Sequence, residues 1–254
     1  MTQLVDDYED GDLAEYETSG QGEGKISPLE AAGDHALEVR NVDTTTRSEY
    51  VVSTSGLPAY PQVGDTIEVY LAVEDSADNA GRFWFGVQSA TVDPERFSLL
   101  LDGPDDTVTL RYFDGSGNAD TICTLSGAAI SSISNGYVRF EIEWAAAAAG
   151  EYAFVAGDGI VTGEHGDDSF VFASGDPVKN TGATETFVYE DGVGVNAGTA
   201  SFAVRAYSGG SLIDEAAGSL DRTTPTGGGI GGSISSYSGS IYASTYIDEI
   251  RIVD

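Results

Sequence analysis

At 254 residues the chain is long enough for one large β domain or two small ones, and its 41% apolar content excludes wholesale disorder. Forty-two Asp and Glu face eleven Lys and Arg, a net charge of -31 that excludes nucleic acid as a partner, because no stretch could neutralise phosphates. With lysine only at Lys25 and Lys179, so acidic a surface suits near-saturated salt, where the Debye length falls to ~3 Å and self-repulsion is screened; a cationic partner is the alternative.

The opening "MTQLVDDY" has neither the basic region nor the apolar core of a secretion signal. No apolar run approaches the ~20 residues that cross a membrane as a helix, so no membrane insertion is expected. "VDDYEDGDLAEY" (5–16) then carries six carboxylates in twelve positions, with Leu13 and its tyrosines as the groups it could bury. Beyond it, period-two alternation dominates. "HALEVRNV" (35–42) alternates, and "DTIEVYLAVE" (65–74) puts Ile67, Val69, Leu71 and Val73 on one face. "GRFWFGVQS" (81–89), "RFSLLLD" (96–102) and "TVTLRYF" (107–113) follow, parted by "VDPE" and the turn-forming "DGPDD". Cys123, the only cysteine, lies in "DTICTL", so no internal disulfide exists; it reads as a buried thiol, with no histidine near it in sequence. "GYVRFEIEW" (136–144) is the cleanest strand, with Val138, Phe140, Ile142 and Trp144 on one side and Arg139, Glu141 and Glu143 on the other.

After Trp144 the pattern changes. "AAAAAGEYAF" could open little more than one helical turn, and short strands are expected at 151–156, 168–173 and 184–190 among acidic, Gly-rich loops. Alternation returns in "TASFAVRAY" (199–207) and runs to the end in "SIYASTYIDEIRIVD" (240–254). Many short strands with few helices predict an all-β, two-sheet antiparallel sandwich.

Taken in order, "DDYEDGDLAEY", "PQVGDTIEVYLAV" with "RFWFGVQ", "YVRFEIEW" and "GGIGG…YIDEIRIV" resemble concanavalin A-like jelly-roll modules, of the laminin-G or carbohydrate-binding type found in haloarchaeal surface proteins. The resemblance covers roughly residues 5–144 and 199–253. It implies a jelly-roll domain of 1–144 plus 199–254, with the chain ends paired at a sheet edge. In that family a tight turn follows the "EW" strand, so 145–198 reads as an insertion, a loop or small β subdomain that serves as an interface or a recognition element. The resemblance also implies a structural Ca2+ held by acids from both chain ends. Glu9 and Asp248 are the matching positions, with Asp7, Asp10 and Asp12 as helpers, and solvated carboxylates are the alternative reading.

Some members of the wider superfamily are retaining glycosidases with an E-x-D-x-x-E strand, part of which Glu141 and Glu143 match. The third acid is missing, and outward charges on an alternating strand account for the pair. His35 and His165 are too few for a histidine zinc site, "EHGDD" (164–168) lacks EF-hand spacing, and "PTGGGIGGSISS" lacks the Lys-Ser/Thr of a phosphate loop. Trp84 alternates with Phe83 and Phe85, so one set faces the core and the other either packs or stacks on a sugar. Tyr152, Tyr189 and Tyr207 are further ligand-contact candidates, as are Tyr237 and Tyr242. The expected function is a non-catalytic structural or adhesion protein on the surface of a haloarchaeal virion, partnered with other virion proteins and with itself, and contacting host cell-surface glycans. A carbohydrate-binding module of a secreted protein and a divergent glycoside hydrolase are the alternatives.

Overall fold

Strands form wherever alternation lets one face leave water. The computed structural model describes residues 1–19, 22–28, 34–41, 49–53, 57–61, 64–74, 78–87, 95–133, 136–146, 155–157, 160–165, 168–173, 178–180, 186–187, 199–221, 229–236 and 244–253. In chain order these give β1 (Thr2–Asp6), β2 (Tyr16–Ser19), β3 (Gly22–Ser27), β4 (Ala36–Asn41), β5 (Glu49–Ser53), β6 (Thr66–Val73), β7 (Asn79–Val87), β8 (Glu95–Asp102), β9 (Thr107–Asp114) and β10 (Ala119–Leu125). After α1 (Gly127–Ile133) come β11 (Val138–Ala146), β12 (Val155–Gly157), β13 (Ile160–His165), β14 (Asp168–Ala173), β15 (Val178–Asn180) and β16 (Thr186–Phe187). The chain ends with β17 (Thr199–Ser208), β18 (Ser211–Asp221), β19 (Gly229–Ser236) and β20 (Ser244–Val253).

Two compact units result. One comprises Met1–Ala145, Ser201–Leu220 and Pro225–Asp254; the other comprises Ala146–Ala200 and Asp221–Thr224. The first is an antiparallel jelly-roll sandwich of an eight-stranded sheet, β18-β17-β11-β6-β20-β4-β3 with β1 also on β20, and a seven-stranded sheet, β10-β9-β8-β7-β19-β5-β2. The second carries its own five-stranded sheet, β12 to β16 in sequence order. The chain's first strand pairs with its last, Thr2 opposite Val253 and Leu4 opposite Arg251. The last strand is interior: β6 lies along one side, and β4 and then β1 share the other.

The sandwich core is aromatic at its centre. Trp144 of β11, fully buried, stacks on Phe202 at 5.8 Å and meets Phe97 at 4.9 Å and Phe85 at 5.5 Å edge-on, joining the two sheets. β17 and β18 are joined through Gly209 and Gly210, both at positive φ, the conformation a two-residue hairpin turn requires and glycine supplies without strain. β18 then closes on the other sheet, since a Cβ at Gly218 would overlap the carbonyl oxygen of Ile122 in β10. Nearby, Asp214 accepts the Ser126 N–H at 2.5 Å. Ser126 in turn caps α1, its hydroxyl accepting the Ala128 N–H, and Ala129, Ile130 and Ile133 bury the helix's inner face.

Candidate functional site

β8 is buried on both faces, and that is unusual for a strand with this sequence. Phe97, Leu99 and Leu101 point into the sandwich core; Arg96, Ser98, Leu100 and Asp102 point away from it and are buried as well. The pleat puts their neighbours from β7, β9 and β19 on the same outward face. One row across the sheet reads Gly231, Trp84, Ser98, Arg111 and the next Ser233, Arg82, Leu100, Thr109, while Arg96 registers with Phe113. The Arg96 guanidinium lies between two rings, 4.1 Å from the centre of Trp84 and 4.2 Å from that of Phe113. Stacking of this kind holds the planar cation and leaves its N–H groups edge-on.

The same face carries hydroxyls out of water. Ser98 and Ser233 are fully buried, and neither Oγ has a hydrogen-bond partner; Arg111 Nε and Asp102 Oδ1 are in the same position. The chain itself closes off both hydroxyls, so what this face offers to an occupant is Arg82, Arg111 and Phe113, which are partly exposed. Burial holds the Asp102 carboxyl above its ordinary range, with Asp105 adding to the effect and Arg82 and Arg111 opposing it. The outward face of the seven-stranded sheet thus combines aromatic rings and arginines, groups from which oriented polar recognition is built.

The predicted residues fall in different places. Trp84 is 1% exposed, so it is a buried member of this face and not an open stacking platform; its ring supports Arg96 instead. Tyr207 lies on the outward face of the other sheet, half-buried, beneath the Arg139 guanidinium at 4.2 Å. Its hydroxyl donates to Glu141 at 2.9 Å, which is the main reason that its pKa is raised. Arg139 also pairs with Glu141 at 2.7 Å and Glu68 at 2.9 Å, and Arg205 with Glu143 at 3.2 Å. Glu141 and Glu143 are therefore members of an ion-pair ladder. Beside it the small side chains of Ser201, Ala203, Ala217 and Ser219 leave an open groove of about 460 Å³. Tyr152, Tyr189, Tyr237 and Tyr242 lie outside the described residues. In the "EHGDD" stretch His165 registers with Asp168 across β13 and β14. Burial pushes the Cys123 thiol up to about 11, which suits a packed thiol and not a nucleophile.

The two residues matched to calcium have other neighbours. Glu9 Oε1 accepts the backbone N–H groups of Asp34 at 2.6 Å and His35 at 2.9 Å, and these bonds, the first above all, lower its pKa. Asp248 is fully buried and faces Tyr8, itself 1% exposed; burial first, then Asp6, raises the phenol's pKa, and the Asp248 charge adds to this. Tyr16 donates to Asp6 at 2.7 Å and lies 3.1 Å from the Tyr8 hydroxyl, so Asp6, Tyr8 and Tyr16 form a part-buried cluster. The carboxylates that do converge are Asp10, Asp12 and Glu15, with ligand atoms within 4.8 Å of one another. All three lie at the surface, and Asp10 and Asp12 already accept local backbone N–H groups. A cation there would find carboxylate oxygens; Glu9 is engaged by the Asp34–His35 backbone, and Asp248 lies beside Tyr8.

Fold and site together define a jelly-roll sandwich with a polar, arginine-bearing face. No protein-family model matches the sequence, and no curated protein matches it. Among solved structures it is similar to the carbohydrate-binding module CBM66 from Bacillus subtilis, at 11% identity and a TM-score of 0.44 over 94% of this chain and 96% of that one. It is also similar to the exoplasmic/lumenal domain of VIP36 in its Ca2+/Man3GlcNAc-bound form, at 11% identity and a TM-score of 0.43 over 99% and 86%. A third is SCLam, a non-specific endo-beta-1,3(4)-glucanase from family GH16, at 7% identity and a TM-score of 0.38 over 99% and 94%. All three identities are far below what carries a ligand or a reaction from one protein to another.

Proposed function

We propose that the protein is a non-catalytic carbohydrate-binding jelly roll whose ligand lies against the outward face of the seven-stranded sheet. The observation that supports this best is the partly exposed set of Arg82, Arg111 and Phe113 beside the Trp84–Arg96 stack. Sugars match such a face because they carry hydroxyls that both donate and accept, and C–H surfaces that pack on rings. The Tyr207 face supports the reading less well, since Glu68, Glu141 and Glu143 are already engaged by arginines there. The non-catalytic part rests on the same ladder: Glu141 is bound by Arg139 and Tyr207, and Glu143 by Arg205, so neither is poised as a free acid or nucleophile.

Titration calorimetry against a panel of neutral and charged oligosaccharides tests the assignment. Phe113→Ala, which removes a partly exposed ring from that face, is expected to weaken binding by about tenfold or more, while Tyr207→Ala leaves it unchanged. The reverse pattern would move the site to the eight-stranded sheet. With this reading goes a proposal for where the module works, as a homo-oligomeric attachment projection on a haloarchaeal virus, of which the acid-rich, lysine-poor composition supports the high-salt setting. Proteomics of purified particles tests it; absence of the chain from them would remove the virion and keep the binding face.

A further inference from the structure

Charge on the eight-stranded sheet is matched where that of the whole chain is not. The protein has eleven Lys and Arg against forty-two Asp and Glu. Lys25, Arg40, Arg139, Arg205 and Arg251, nearly half of those cations, stand on the outward face of this one sheet, opposite the core side of their strands. Lys25 pairs with Glu38 at 3.0 Å, Arg139 with Glu68 and Glu141, Arg205 with Glu143, and Arg251 with Glu249. Between these pairs lie phenols. Register sets Tyr246 of β20 beside Ala72 of β6 and Tyr70 of β6 opposite Arg139 of β11, while Tyr207 of β17 lies under that guanidinium at 4.2 Å. All three rings are partly exposed.

We infer that this face is a self-association surface, on which two copies meet back to back about a twofold axis and leave both seven-stranded sheets open. The inference gives a contact to the homo-oligomer proposed above and rests on that part of the reading; sugar binding is independent of it. Copies of a chain with a net charge of -31 repel one another, and molar salt screens that repulsion without supplying a contact. A face whose carboxylates are matched by its own guanidinium groups lets two copies touch without setting acid against acid. Tyr and Arg are also the side chains enriched at interface cores. A cationic partner would favour unmatched acids elsewhere, and a sugar would find the polar groups of this face already engaged. The size is adequate. From β4 to β18 the sheet has six strands at about 4.8 Å spacing, and six residues of each run about 20 Å, which gives roughly 600 Å² per copy and about 1,200 Å² in all, the lower end for a specific interface. Because such a contact is the same patch on both partners, assembly closes at two.

The test is analytical ultracentrifugation of the full chain in molar potassium chloride, with oligosaccharide binding followed in parallel. The wild type is expected to be a dimer at micromolar concentration. Tyr207→Ala should weaken the dimer about tenfold or more, and so should Arg139→Gln, which leaves Glu68 and Glu141 unmatched on both copies. Ala203→Glu keeps the test open should those two variants misfold: it adds a charge beside an open groove with room for the side chain, and it should also favour the monomer. Each variant should bind oligosaccharide as the parent does. A dimer unmoved by the folded variants would overturn the inference and leave a homo-oligomer joined elsewhere. A wild-type chain that stays monomeric up to about 100 µM would overturn the inference and the homo-oligomer together, and leave sugar binding standing.

Discussion

Trp144 is the residue on which the packing of the two sheets most depends, and its replacement by alanine should be felt throughout the first unit. The indole is fully buried and touches Phe85, Phe97 and Phe202 at centroid distances of 4.9 to 5.8 Å, two of these partners lying on the opposite sheet. Removing a buried Trp costs about 3–5 kcal/mol through lost transfer and residual cavity. Each aromatic pair adds about 0.5–1.5 kcal/mol beyond area. Against a domain stability of about 5–15 kcal/mol, Trp144→Ala should lose a third or more and in the low part of that range leave the unit unfolded. Trp144→Phe should behave differently. It gives up part of the contact area, but it also removes the buried Nε1–H, which has no hydrogen-bond partner, so its cost should stay below about 2 kcal/mol. Urea unfolding followed by tryptophan fluorescence reads this unit selectively, because the chain's two tryptophans, Trp84 and Trp144, both belong to it. Equal losses for the two variants, or a loss below about 1 kcal/mol for Trp144→Ala, would refute the inter-sheet packing described.

Gly218→Ala should destabilise the same unit by about 1–3 kcal/mol, since its methyl must displace backbone at Ile122 and not a flexible side chain; an unchanged urea midpoint would mean that β18 does not close on β10 as described. Asp6 has its pKa raised by burial, so the folded state holds its proton more tightly than the unfolded chain, and the stability it contributes grows as pH falls through the folded pKa towards 3.8. Asp6→Asn should therefore melt higher than the parent near pH 7, with the gap closing near pH 4; a gap independent of pH would contradict the burial of that carboxyl. Asp214 has the opposite sign, lowered chiefly by the Ser126 hydroxyl, so its contribution is present above about pH 4 and lost as pH falls through its folded pKa; Asp214→Asn should match the parent in acid and melt lower at neutral pH. Chelating calcium should leave the melting temperature unchanged, because Glu9 is satisfied by the Asp34 and His35 backbone; a clear drop would place a cation among the acidic residues of 6–16.

Much of the sandwich can be read from single strands, and the ligand face cannot. β6 and β11 announce themselves because one side of each goes to the core and the other to charge, as in Val138, Phe140, Ile142 and Trp144 against Arg139, Glu141 and Glu143. β18 escapes the same reading, since "SLIDEAAGSLD" is an edge strand whose described side chains, Leu220 excepted, stay at least partly in water, so nothing enforces alternation. α1 is too short for periodicity to speak, although Ser126 ahead of "GAAISSI" is a capping signal. Trp84 shows the limit most clearly. Alternation separates it from Phe83 and Phe85 but cannot say that both sides of β7 are buried. The convergence of Arg82, Arg96 and Arg111 depends on strand register, which pairs residues far apart in sequence and leaves no local trace.

The most direct test of the account uses Trp84 as the reporter. In Trp144→Phe it is the only tryptophan, and it stands under Arg96 and beside Ser98 on the proposed binding face. Titrating that variant with the tightest-binding oligosaccharide should change the emission of Trp84 in a saturable way, with the same Kd that calorimetry gives. Binding seen by calorimetry with no change at Trp84 would contradict the central claim that the outward face of the seven-stranded sheet is where the ligand lies.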